Sequence, residues 1–116
     1  WLEVEKKYLP SRYYEEIPEL DEGLFFYRQG HLFSVPFYYI DYTLAQVCAF
    51  QFWKKANENR EKAWEEYLHL CKQGGTKPFL ELVKEANLEN PFKDGTISNI
   101  VPELKKYLDS VDATKF

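Results

Sequence analysis

A chain of 116 residues is one domain's worth, with 45% hydrophobic and 29% charged residues, in the ordinary globular range. Its net charge is −4, and its lysines are spread among glutamates rather than gathered in a stripe, which excludes a phosphate-backbone partner such as nucleic acid. Nine Tyr, nine Phe and three Trp make 18% of the chain aromatic, more than a small core holds, so several rings are expected to line a groove or a subunit face.

Residues 1–9, WLEVEKKYL, carry Trp1, Val4, Tyr8 and Leu9 at helical spacing, and Pro10 ends the run. Residues 10–36 hold Pro10, Pro18, Gly23, Gly30 and Pro36, and read as mostly irregular with a helical turn or two around 22–29. Pro36 is expected to open the longest helix, to about Asn57, because a proline in the first turn has no N–H to leave unpaired. That helix is apolar on nearly every side until Lys54, a pattern that calls for protein all around it.

Asn59 caps the next predicted helix, residues 60–73, whose inward stripe is Trp64, Tyr67, Leu68 and Cys71; Gly74-Gly75 stops it. Thr76 caps a third, with Phe79, Leu82, Val83 and Ala86 inward. After a turn at Asp94-Gly95, Ser98 or Asn99 caps the last, through about Leu108, with Pro102 in its first turn and a stripe of Ile97, Val101, Leu104 and Leu108. The class is all-α, as one helical unit over residues 1–116, without repeats or low-complexity segments.

The apolar stretch from Phe37 to Trp53 is broken by Asp41, Thr43, Gln46 and Gln51, so no transmembrane span is expected, and no signal peptide is visible. Cys48 and Cys71 form no metal or redox spacing; as reduced, buried thiols they fit a cytoplasmic protein. The chain lacks methionine and starts at Trp1, where an initiator methionine would not normally be trimmed, so it reads as a piece of something longer.

Chemistry is sparse. His31 and His69 are the two histidines, there is no H-E-x-x-H, and no metal site is expected in this chain by itself. His69, near a helix end, reads as a surface or capping residue, and Glu15-Glu16 and Glu65-Glu66 as solvated faces. The stretch HLFSVPFYYIDYTLAQ, residues 31–46, stands apart. On a helix Tyr42 shares a side with Tyr38, four residues back, and with Tyr39, three back, while His31 precedes them on a loop. A neutral phenol donates hydrogen bonds throughout the physiological range, and two phenols with an imidazole suit an oxygen that turns negative in acyl transfer. Core packing is the ordinary fate of such rings.

The block GLFFYRQGHLFSVPFYYIDYTLAQVCAFQFWKK resembles the C-terminal region of oligoendopeptidase F, a thimet-oligopeptidase-like zinc metallopeptidase. The resemblance runs from the Trp1 helix and KYLP through AWEEYLHLCKQGGTKPFLELVKEANL to NPFKDG and the final helix. Its most specific part is His31 followed by P-F-Y-Y-I-D-Y. It implies a helical fragment of a larger, mostly helical catalytic domain, whose upstream H-E-x-x-H and a later Glu bind one zinc and hydrolyse short peptides. It carries the family's substrate-contacting histidine onto His31 and the tyrosine that bonds the scissile carbonyl or its oxyanion onto Tyr42; Tyr38 and Tyr39 both match the second tyrosine. The partners so implied are short peptides and the remainder of the catalytic domain, with self-association expected of the piece alone. Two other readings stand beside this one: a non-catalytic helical module binding peptides or proteins through its aromatic face, and an assembly element burying that face against a copy of itself.

Overall fold

The structure, a computed structural model, describes residues 1–10, 14, 17–112 and 114. Its regular elements are α1 (Leu2–Tyr8), α2 (Pro18–Asp21), a 3-10 turn (Leu24–Arg28), α3 (His31–Ser34), α4 (Ile40–Glu58), α5 (Arg60–Gln73), α6 (Phe79–Glu85) and α7 (Val101–Ser110). The all-α class stands. The chain divides into two compact units, Trp1–Ile40 and Asp41–Phe116. Among the described residues no helix is long and apolar enough to cross a membrane.

In the first unit α1 turns a carboxylate inward. Glu5 is buried and accepts hydrogen bonds from Trp1 Nε1 at 2.8 Å and from the Tyr14 hydroxyl. A buried polar group needs such partners. Trp1, Val4, Tyr8 and Leu9, the apolar residues at helical spacing, are exposed. Rings supply the packing: Phe26 meets Trp1 at 5.7 Å, and Tyr27 stacks on Phe33 at 5.5 Å. Gly23, at φ 89°, has no room for a side chain, because an added Cβ would lie 2.8 Å from Leu2 Cβ. Residues 17–34 are more helical than expected, with three short turns of helix between the prolines. Glu15 and Glu16 lie outside the described residues.

The second unit has an aliphatic core. Val83, Ala86 and Leu88 pack with Cys48 and Phe52 of α4 and Leu70 of α5. Asn59 caps α5 as expected, its Oδ1 accepting the Lys62 N–H at 3.0 Å. The face of α5 is the reverse of the one expected. Ala63 is buried and Leu70 packs on the core, while Trp64, Tyr67, Leu68 and Cys71 are exposed. The bulky stripe stays largely open, although the Tyr67 ring meets Phe52 of α4 edge-to-face at 5.5 Å. Only Val47 and Gln51 of α4 are buried, so the protein expected all around that helix is not supplied here.

α6 starts after Pro78, which, rather than Thr76, occupies the cap position. It ends in a Schellman turn: Asn87 is left-handed at φ 52°, Leu88 N–H donates to the Val83 carbonyl at 3.0 Å, and Asn87 N–H to the Lys84 carbonyl at 3.0 Å. Lys55 Nζ reaches the same helix end, donating to the Asn87 carbonyl at 2.8 Å and to Glu66 Oε2 at 2.5 Å. Glu66 is thus a paired, half-buried group rather than part of a solvated face. α7 begins after Ile100, not Ser98 or Asn99, with Pro102 in its first turn. Ile100 is the buried residue there, whereas Ile97, Val101 and Leu108 are exposed.

Candidate functional site

His31 opens α3 directly after Gly30. The His31 carbonyl accepts the Val35 N–H at 3.1 Å, and the Val35 carbonyl accepts the Tyr38 N–H at 3.2 Å. Ser34 Oγ donates to the Gly30 carbonyl at 3.0 Å. These local bonds fold residues 30–38 back on themselves.

Pro36 does not open the long helix. Val35, ahead of it, lies outside the helical region at φ −138° and ψ 75°, and Phe37 is left-handed at φ 67°. A right-handed helix cannot pass through a residue with positive φ, so α4 waits until Ile40. Tyr38 and Tyr39 therefore stand in a turn, and the expectation that they share a helix side with Tyr42 is corrected.

The turn brings His31 and Tyr39 together. Their ring centroids are 4.7 Å apart and their planes 87° apart, the edge-to-face arrangement favoured by aromatic quadrupoles. Tyr38 and Tyr39 each keep somewhat over two fifths of their surface open, at 43% and 44%. Tyr42 is in the first turn of α4, in the second unit, and is 56% exposed. Imidazole and phenol are hydrogen-bonding groups, and Tyr38, Tyr39 and Tyr42 are exposed. Phe37, between them and Pro36, combines a positive φ with near-complete exposure, 97%. The P-F-Y-Y turn composition was the available signal.

The second unit carries an open apolar groove of about 560 Å³ between α4 and α5, lined by Phe52, Trp53, Ala56, Ala63, Trp64 and Tyr67. The Tyr67 phenol is pushed above its ordinary range, chiefly by its hydrogen bond with Cys71. Burial raises the Cys48 thiol, whereas Cys71, expected to be buried, is exposed. His69 is a surface residue, with Nε2 3.9 Å from Glu85 Oε2. Among the described residues no three His, Cys, Asp or Glu side chains come together as a metal-ligand set.

No family model matches the chain, and no curated protein does. Solved structures do. A protein described as oligoendopeptidase F, solved at 3.1 Å, is 54% identical over 100% of this chain, with a TM-score of 0.87. PZ peptidase A, solved with an inhibitor, is 52% identical over 97% of it, with a TM-score of 0.86. A protein from Bacillus anthracis strain Ames, also described as oligoendopeptidase F, is 43% identical over 99%, with a TM-score of 0.67. The chain spans only 20–21% of the length of these relatives. Sequence and fold together make it a segment of the oligoendopeptidase F type, about one fifth of such a chain, that fits the C-terminal portion.

Proposed function

We propose that this chain is the C-terminal part of a zinc-dependent oligoendopeptidase that hydrolyses short peptides, and that it supplies substrate-side hydrogen bonds through His31, Tyr42 and one of Tyr38 and Tyr39. The observation that carries the peptidase reading is 54% identity to an oligoendopeptidase F over the whole of this chain. The contact of His31 with Tyr39 supports the assignment of the group and favours Tyr39 as the second tyrosine.

When a peptide carbonyl becomes tetrahedral, its oxygen takes on negative charge. Neutral phenols and an imidazole N–H already oriented toward that oxygen stabilise it without having to reorganise. In this reading the turn at residues 35–39 carries Tyr38 and Tyr39, and the first turn of α4 carries Tyr42. Zinc ligands, in this reading, come from outside the chain. The rest of the catalytic domain then covers the exposed apolar rows of α4 and α5, and without it this chain is inactive and self-associates. Two free cysteines are in keeping with a cytoplasmic location.

The test is hydrolysis of a set of short peptides by the complete protein. Cleavage that a chelator abolishes and added zinc restores is the expected result, with none from residues 1–116 alone. Cleavage that survives full removal of metal contradicts the zinc dependence, and no cleavage by the complete protein contradicts the peptidase reading.

A further inference from the structure

Phe37 violates two local preferences at once. Its φ of 67° lies in the left-handed region, where a bulky side chain is uncommon and glycine or asparagine is the ordinary choice. Its ring is 97% exposed, the most open of the exposed large hydrophobic residues among those described. The backbone feature is not explained by packing within the chain, because glycine would make the same turn without steric conflict. Residues that break local rules in this way, where nothing in their own fold compensates, mark functional positions.

The place of Phe37 says which function. It lies in the turn between α3, which begins at His31, and Tyr39, the residue whose ring meets His31. It directly precedes Tyr38, so its backbone dihedral sets both the display of its own ring and the course of the chain into the two tyrosines. We infer that Phe37 is a specificity-determining residue, its ring packing against an apolar side chain of the peptide substrate beside the cleaved bond. This rests on the peptidase reading above, since the same turn carries the groups assigned to the carbonyl oxygen. A bare phenyl ring offers no hydrogen bond, so it selects by apolar area: Phe, Leu or Met over Ala or Gly.

The test uses the complete peptidase and pairs of fluorescence-quenched peptides that differ only in Phe or Ala, placed at each of the two residues flanking the cleaved bond. At one of these positions Phe37→Ala is expected to reduce the Phe-to-Ala ratio of kcat/KM by about tenfold, the scale on which apolar pockets discriminate. Phe37→Leu should retain part of the preference. Phe37→Gly, which tolerates the left-handed backbone and so keeps the turn, should lose it as Phe37→Ala does. A ratio unchanged at both positions in both the Ala and Gly variants overturns the inference. So does an equal fall for both peptides of each pair accompanied by a lower unfolding temperature, which would make Phe37 a structural contact with the rest of the enzyme. Wild-type protein that cleaves none of the peptides overturns the peptidase reading, and this one with it.

Discussion

The rings of His31 and Tyr39 stand nearly perpendicular, with centroids 4.7 Å apart, His31 opening α3 and Tyr39 following Tyr38 in the turn after it. Such a pair contributes about 0.5–1.5 kcal/mol and holds each ring in a set orientation. Tyr39→Phe keeps the ring and deletes the hydroxyl. In the complete peptidase its kcat is expected to fall by about 10²–10³-fold, with KM changed much less. Tyr38→Phe should leave kcat close to wild type. The reverse order in steady-state assays would assign the second tyrosine to Tyr38.

Gln51 is buried on α4 and clamps the segment after α6, donating from Nε2 to the Glu89 carbonyl at 3.0 Å and accepting the Glu89 N–H at 2.7 Å. Leucine fills nearly the same volume and makes neither bond. Gln51→Leu should therefore destabilise the protein by about 2–3 kcal/mol, through two backbone groups left unpaired. Urea unfolding measures the loss, and faster hydrogen exchange at the Glu89 amide locates it.

Lys55 holds Glu66 ionised: its hydrogen bond is the chief reason that the Glu66 carboxyl sits below the ordinary range, with Asn87 adding a second bond. A carboxyl depressed on folding stabilises the native state above its unfolded pKa, and that contribution disappears as pH falls through the folded value. Lys55→Met removes the chief cause. The stability gap between wild type and this variant should be widest near neutral pH and should narrow as pH drops below the ordinary carboxylate range. A gap that stays constant down to pH 2, in unfolding curves taken across that range, would remove the pair from the account.

Local signals in the sequence were sufficient where a single turn decides the outcome. Asn59 begins α5 because its side chain reaches a backbone N–H three residues on, and Gly95, at φ 93°, falls in the turn after Asp94. Periodicity found the helices but chose the wrong face of α5. A bulky stripe looks like a core stripe, and in a segment of a larger fold the bulky side is the one left uncovered. The start of α4 differs from the one expected at Pro36 because a proline in a first turn presumes right-handed residues after it, and Phe37 is not one. Gln51 with Glu89 and Lys55 with Asn87 join positions 38 and 32 residues apart, and no local pattern announces such bonds. The candidate group itself came from the His31-to-Tyr42 block as a whole. Helical spacing alone would have paired Tyr38 and Tyr39 with Tyr42 on one helix, which the turn at Phe37 rules out.

Tyr42→Phe in the complete peptidase tests most directly whether this segment serves the reaction or merely packs. The substitution removes one hydroxyl, 56% of the residue being open to surroundings in this chain, and leaves the ring in place. If Tyr42 donates to the developing oxyanion, kcat falls by about 10²–10³-fold, roughly 2.7–4 kcal/mol, with KM changed far less and zinc content and folding unaltered. If the ring only packs, stability shifts by about 1 kcal/mol and turnover is unchanged. The account predicts the first result; a folded, zinc-loaded Tyr42→Phe enzyme with wild-type kcat contradicts it.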